Sequence, residues 1–305
     1  MIRAGIIGCG KIAWEWDNLK DDNFNTHAKS YYFNKDVKLV ACADISLKKA
    51  KGLAKRYRGV IPYVDYEEML SREDLDVVSV CTPCDTHYKV LKYILQHTSV
   101  KYILAEKPLV STMWELQEII KIAKKKRACI IINYLRRFDN GFKKVKSIVE
   151  NKMGKFLFGF GVYYGRFRDN GIHLIDLIDF WGIKVIFKSR LKNGFILSST
   201  TGGELIFKNK EKESYAALEL ELFFEKGKVY MHDTSEIIIF YPAVLKEIPG
   251  YKVLTQRIVI PPTIRKSLYN VVVYTVGLVK HKKLTYEFLE REKNLQRIKE
   301  AIEKK

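Results

Sequence analysis

Acidic side chains are in short supply in this sequence. Only 35 Asp plus Glu stand against 54 Lys plus Arg in 305 residues, leaving a net charge of +19 at pH 7. Such a surplus admits nucleic acid as a partner, yet the lysines are dispersed over 124–127, 143–146, 208–212 and 280–283 without interleaved aromatics. No zinc-finger, helix-turn-helix or RNP pattern goes with them, so solvated basic faces are expected and a nucleic-acid partner is not. Cysteine is sparse too. Five of them, an odd number without framework spacing, exclude a secreted disulfide scaffold and point to the cytosol. Long apolar runs are missing as well. The longest late one, 268–279, is interrupted by Tyr269, Asn270 and Tyr274 and falls short of the ~20 residues a membrane span needs. The first residues enter an apolar run with glycines instead of a basic stretch followed by a signal-peptide core. The expectation is a cytoplasmic protein without a membrane partner.

A 47% hydrophobic fraction is that of a chain with a buried core, and the length suggests two domains. Over residues 1–135, short Val- and Ile-rich runs (2–7, 37–43, 60–63, 77–81, 102–105, 129–132) alternate with amphipathic stretches (47–58, 66–70, 87–96, 113–126). Ser46, Ser111 and Thr112 stand where helix N-caps would. Alternation of this kind predicts a parallel, doubly wound sheet with helices on both faces. From about Phe138 the pattern changes. A helix over 142–150, a strand over 155–164 and a helix over 173–181 precede strand-like runs at 186–190, 195–200, 204–208, 215–224, 228–233, 236–241 and 256–259. Short polar connections there favour an antiparallel or mixed sheet, and 285–305 reads as a charged amphipathic helix. The fold class expected is α/β, with a dinucleotide-binding domain over 1–135 and a second domain over 136–305.

Gly5-Ile6-Ile7-Gly8-Cys9-Gly10-Lys11-Ile12-Ala13 holds G-x-G-x-x-A directly after the first strand. Gly8 permits the tight turn, Gly10 lets the backbone approach a pyrophosphate, and Ala13 allows close helix packing. Gly8, Gly10, Lys11 and Ile12 are therefore expected to line a dinucleotide, with the following helix offering its N–H groups. Asp44 ends the second strand, where a carboxylate accepts from ribose hydroxyls and repels a 2′-phosphate, favouring NAD over NADP. It follows Gly10 by 34 positions, not by the ~20 of the compact fingerprint. The excess is a polar insertion over 16–26. The bland reading of Asp44 is a helix-capping residue, and the two roles are compatible.

Three further segments carry chemistry. Thr82-Pro83 follows the fourth strand, with His87 close behind. Glu106-Lys107-Pro108 ends the fifth. Asp169-Asn170-Gly171-Ile172-His173-Leu174-Ile175-Asp176 opens a helix after Tyr163 and Tyr164. In an open parallel sheet the carboxyl ends of the strands face the ligand crevice, so the first two segments point at the cofactor. With the glycine turn and Arg136-Arg137-Phe138, these motifs in this order resemble the Gfo/Idh/MocA oxidoreductase family over nearly the whole chain. The resemblance implies an N-terminal Rossmann domain and a C-terminal α/β domain whose open, mostly antiparallel sheet forms a subunit interface, hence a homodimer or homotetramer. It implies hydride transfer between NAD(P) and a sugar, sugar nucleotide or polyol. Thr82, Pro83, His87, Glu106 and Lys107 would join the cofactor site. Lys107 and His173 would sit near the reacting oxygen with Asp169 beside them, Arg136 and Tyr164 on the substrate, and the Lys107–Pro108 peptide cis.

Taking a hydride from a carbinol carbon requires removal of the hydroxyl proton, which a neutral His or a Lys of depressed pKa performs near pH 7. A retained Lys107 ammonium could instead hold the developing alkoxide and leave His173 as the base. Against these stand plainer readings. His173 lies among apolar neighbours and could be a satisfied core histidine. His87 could simply start its helix, Asp176 could hold one, and Arg136 and Arg137 could form structural ion pairs in place of gripping a ligand. Cys81-Thr82-Pro83-Cys84 spells C-x-x-C, but no second pair completes a zinc set and no metal is expected. The chain departs from the family pattern in three places. Residues 164–168 lack the usual glycines, Leu135 replaces a commonly polar residue, and the 16–26 insertion is extra. Arg166 and Arg168 would suit a phosphorylated or nucleotide-linked sugar. NAD-assisted elimination or hydrolysis, and a non-catalytic dinucleotide-binding regulator, are the alternatives.

Overall fold

The computed structural model describes residues 1–210, 217–232, 237–245, 252–254, 258–261 and 263–304. Two compact units emerge, one of residues 1–135 with 265–293, the other of 136–264 with 294–305.

The first unit alternates β1 (Ile2–Ile7), α1 (His27–Tyr32), β2 (Val37–Ala43), α2 (Leu47–Arg56), β3 (Ile61–Tyr63), α3 (Tyr66–Arg72), β4 (Val77–Val80), α4 (Cys84–His97), β5 (Tyr102–Ala105), α5 (Met113–Lys126) and β6 (Cys129–Ile132). The sheet runs β3-β2-β1-β4-β5-β6 and every pairing is parallel. All residues of β4, β5 and β6 are buried. That is why these strands read as unbroken apolar runs and not as alternations. Thr112 caps α5 in a reciprocal box with Glu115. Ser46 stands at the start of α2 without a side-chain cap, its own N–H being taken by Asp44 at 2.8 Å. The helix expected right after the glycine turn is only one wide turn, Lys11–Glu15, because the insertion intervenes before α1.

The second unit holds α6 (Asn140–Lys152), β7 (Phe156–Tyr164), α7 (Ile172–Phe180), β8 (Val185–Leu191), β9 (Gly194–Ser199), β10 (Glu204–Lys210), β11 (Leu218–Phe224), β12 (Gly227–His232), β13 (Ile237–Leu245), β14 (Lys252–Leu254) and β15 (Ile258–Ile260). The strand order is β14-β13-β12-β11-β7-β10-β9-β8, with β15 on β13. β7 and β10 are parallel and the remaining pairings antiparallel. Strict alternation of buried and half-buried positions along β9 and β11 shows a sheet with one covered face. The other presents Phe158, Phe160 and Ile186 to solvent. Of the strands expected on sequence grounds, residues 215, 216, 233, 236, 256 and 257 lie outside the described residues.

Residues 265–293, grouped with the second domain on sequence grounds, fold with the first unit. They carry α8 (Ser267–Lys280) and the start of α9 (Glu287–Glu303). α8 is the apolar run weighed above only as a membrane span. It buries Leu268, Val271, Val272, Val276 and Leu278 and packs on α1, β1 and β5. Lys280 pairs with Asp36 at 2.8 Å, and the Tyr269 ring meets Phe24 at 4.8 Å. Among the described residues no helix is long and apolar enough to cross a membrane.

Candidate active site

The sheet of the first unit changes winding direction between β1 and β4, the position at which open α/β sheets receive ligands beyond the strands' carboxyl ends. Gly8, Gly10, Asp44, Thr82, Glu106 and Lys107 all stand at those ends. Gly8 has φ +90, and a Cβ there would lie 2.8 Å from the Cys81 and Thr82 backbone. Only glycine fits. Gly10 differs: its backbone is extended, and an added Cβ would meet nothing within 4 Å among the described residues. Packing within the chain therefore gives no reason for the missing side chain, and the space over it is open to a ligand. Lys11 is exposed and Ile12 half-buried beside it. Asp44 accepts the Cys9 N–H through Oδ2 and the Ser46 N–H through Oδ1, each at 2.8 Å. It ties the glycine turn to the end of β2 while keeping lone pairs for a ribose. Trp14 closes the turn from the other side, donating its indole N–H to the Cys9 carbonyl at 3.0 Å under the Arg56 guanidinium.

Beyond β4, the Thr82 hydroxyl is buried without a hydrogen-bond partner among the described residues, and Pro83 is exposed at the start of α4. His87 is buried. Its Nε2 faces the Thr82 carbonyl at 2.8 Å and its Nδ1 faces the Pro108 and Leu109 carbonyls at 3.1 Å. It braces the two loops that flank the crevice. The Lys107–Pro108 peptide is cis, and Lys107 is half-buried. Leu109 N–H is held from behind by Glu292, which also accepts from Tyr134. In the C-x-x-C run, Cys81 is buried, and burial, then Glu106, pushes its thiol up. That state disfavours thiolate chemistry.

Sequence reasoning missed the polar chain beneath Lys107. His27 places Nε2 2.9 Å from Glu106 Oε1 and Nδ1 3.0 Å from Ser79, which meets Tyr31 at 2.8 Å; Asn133 donates to the same Glu106 oxygen at 2.6 Å. Burial alone would raise the Glu106 carboxyl, but the hydrogen bond and charge of His27, then Asn133 and Lys107, bring it below the usual range. The available signal was Ser79, a lone hydroxyl inside the otherwise apolar Val77-Val78-Ser79-Val80.

In the second unit, helical backbone runs unbroken from the wide turn Phe167–Gly171 into α7, with Asp169 and His173 on successive turns. Asp169 accepts from Arg166 Nε at 2.6 Å, so Arg166 is engaged by that carboxylate. Of the nine residues of α7, eight are buried and His173 alone is half-buried. Tyr164 is exposed at the end of β7. The arginine pair divides. Arg137 is buried, donating from Nε to Asp176 at 2.7 Å and from a terminal nitrogen to Asp179 at 3.2 Å; Asp176 is thereby structural. Arg136 stays half-buried, and desolvation lowers its guanidinium to about 10 against the opposing pull of Asp176 and Asp139.

Residues 2–134 match the sequence profile of an oxidoreductase family with an NAD-binding Rossmann fold, the Gfo/Idh/MocA family. An uncharacterised oxidoreductase of Bacillus subtilis is 30% identical over 152 residues, 49% of this chain and 40% of that protein. Inositol 2-dehydrogenase of Rhizobium meliloti is 28% identical over 150 residues, 49% of this chain and 41% of that enzyme. The chain thus spans about two fifths of the length of these curated relatives. A 3-ketoreductase of Actinomadura kijaniata, solved with TDP-benzene and NADP, superposes with a TM-score of 0.78 at 17% identity, covering 99% of this chain and 97% of that one. That likeness establishes the α/β fold of both units. Through residues 2–134, the chain is similar to the Gfo/Idh/MocA oxidoreductases.

Proposed function

We propose that the protein is an NAD(P)-dependent oxidoreductase acting on a hydroxyl or keto group of a sugar, sugar nucleotide or polyol. The observation that carries this is the open space over Gly10 at the turn after β1, with Thr82, whose hydroxyl has no hydrogen-bond partner among the described residues, and Lys107 following β4 and β5 at the same end of the sheet. A dinucleotide's backbone fits there, and when bound it supplies the hydride acceptor or donor. Gly8, Gly10, Lys11 and Ile12 would cradle its phosphates, Asp44 its ribose, and Thr82, Pro83 and Glu106 its remaining length, with His87 bracing them. The preference for NAD over NADP is not kept. The ketoreductase of like fold was solved with NADP, and two of Asp44's acceptor positions already serve Cys9 and Ser46.

Lys107 holds the reacting oxygen as an ammonium or takes its proton when neutral. His173, the open position of an otherwise buried helix, is the second proton acceptor, oriented by Asp169. Arg136 and Tyr164 bind substrate. Inositol and a TDP-linked compound among the relatives' ligands support a polyhydroxylated substrate. Copies of the chain associate through the open sheet face carrying Phe158, Phe160 and Ile186, and the five cysteines, thiols rather than disulfide halves, suit a cytoplasmic location.

A nicotinamide-absorbance screen of sugars, inositols and nucleotide sugars with NAD and with NADP tests the assignment. Wild type turns over at least one, and Lys107→Ala and His173→Ala each lose on the order of 10²–10⁴-fold in kcat. A variant with full kcat removes that residue from the chemistry.

A further inference from the structure

The 16–26 insertion is a built object. Asp17, buried, accepts the Asn25 N–H at 2.8 Å and the Thr26 hydroxyl at 2.5 Å. Lys29, fully buried, donates to the Asn18 carbonyl at 2.6 Å and to the Asp21 carbonyl and carboxylate at 2.8 Å each. An ammonium out of water is tolerable only when its donors are satisfied, and here the loop satisfies them. Thr26 then caps α1, whose first residue is His27.

His27 is fully buried and bonded on both ring nitrogens, to Ser79 on one side and Glu106 on the other. Glu106 is the residue before Lys107. The groups facing the Glu106 carboxylate are His27 from α1, Asn133 after β6, Lys107 along the chain and the Cys81 thiol after β4. Behind His27 lie Ser79 and Tyr31, the latter a phenol that burial pushes up.

We propose that His27 is a positioning residue for Lys107: carried in by the 16–26 insertion, it fixes the Glu106 carboxylate, and that carboxylate keeps the neighbouring Lys107 ammonium charged and in place. The proposal rests on the reading of Lys107 as a group of the chemistry. Attraction between two charges is reciprocal. The pull of Lys107 that helps hold the Glu106 carboxyl low therefore holds the lysine's own proton more tightly, provided Glu106 stays ionised and does not rotate away. Remove the imidazole, and the carboxylate loses its strongest favourable partner in a site where burial already disfavours its charge.

The test uses the whole protein without substrate. Lysines are converted to [13C]dimethyl-lysine, and the Lys107 signal, assigned by its absence from Lys107→Ala, is titrated by NMR. Glu106→Gln and His27→Leu should lower its midpoint by about 0.5–1 pH unit. His27→Gln, whose amide nitrogen reaches the position of Nε2, should keep the wild-type midpoint. His27→Asn replaces only the Ser79 side and should behave like His27→Leu. A wild-type midpoint in His27→Leu, or recovery by Asn equal to that by Gln, overturns the proposal. If His27→Leu does not fold, the Gln and Asn pair decides. Since the titration needs no turnover, full activity of Lys107→Ala in the nicotinamide screen would instead remove the catalytic reading and leave this coupling measurable.

Discussion

Asp44 and the backbone N–H of Cys9 are joined at 2.8 Å, so the end of β2 and the glycine turn after β1 form one rigid corner. Substituting Asp44→Ala leaves two N–H groups, of Cys9 and Ser46, without their acceptor. The expected cost is about 1–3 kcal/mol, together with weaker dinucleotide binding. Thermal unfolding and fluorescence titration with NADH read the two effects. An unchanged affinity in a destabilised variant would assign Asp44 to the fold alone.

The two glycines of the turn should separate stability from binding. Gly8→Ala forces a side chain into φ +90 and against backbone 2.8 Å away, costing about 1–2 kcal/mol from the dihedral alone. Gly10→Ala meets no neighbour, so its melting temperature should stay at wild type while dinucleotide affinity falls. Loss of stability in Gly10→Ala would argue against the open space being a ligand cradle.

Arg137 and Asp176 are a buried pair, and breaking one side strands the other. Arg137→Met or Asp176→Ala should each destabilise the protein by about 3–5 kcal/mol, measured by urea unfolding. A loss below about 1 kcal/mol would mean that the pair is solvated in solution.

Glu106 sets a pH dependence of stability. Its folded carboxyl lies below the ordinary value of 4.5, so its ionised form stabilises the fold above that pH, and the contribution disappears as pH falls through the lower folded value. The stability difference between wild type and Glu106→Gln should be flat from neutral pH to about 4.5 and narrow on further acidification. A difference that instead narrows as pH rises contradicts the sign.

The open sheet face predicts association. Phe158 stacks on Phe223 with ring centroids 4.3 Å apart, and Phe160 stands beside them in solvent. Phe158→Glu with Phe160→Glu should shift the light-scattering mass toward a monomer without lowering the melting temperature of the isolated chain. An unchanged mass would place any association elsewhere.

Much of the first unit was legible because its strands are buried on both faces and therefore spelled as apolar runs. β1, β2, β5, β6 and α5 fall on the expected residues. α8 was not, since its Val271-Val272-Val273 segment carries β-branched side chains that disfavour helix in isolation; packing on α1 decides its state. The glycine turn and the Glu106-Lys107-Pro108 run were visible as local motifs. The His27, Ser79, Glu106 and Asn133 chain was not, because its members come from α1, β4 and the segments after β5 and β6 and meet only once the sheet is wound. Likewise Ser46 has the residue type of a cap, but Asp44, two residues earlier, already holds its N–H.

The interleaved path of the polypeptide has a consequence for biosynthesis. A ribosome that has released residues 1–135 has not yet made α8, the segment that covers α1, β1 and β5. All of residues 136–264 must emerge before that covering arrives. The nascent N-terminal sheet therefore spends the interval with an apolar flank uncovered, the period in which chaperone capture or aggregation would act.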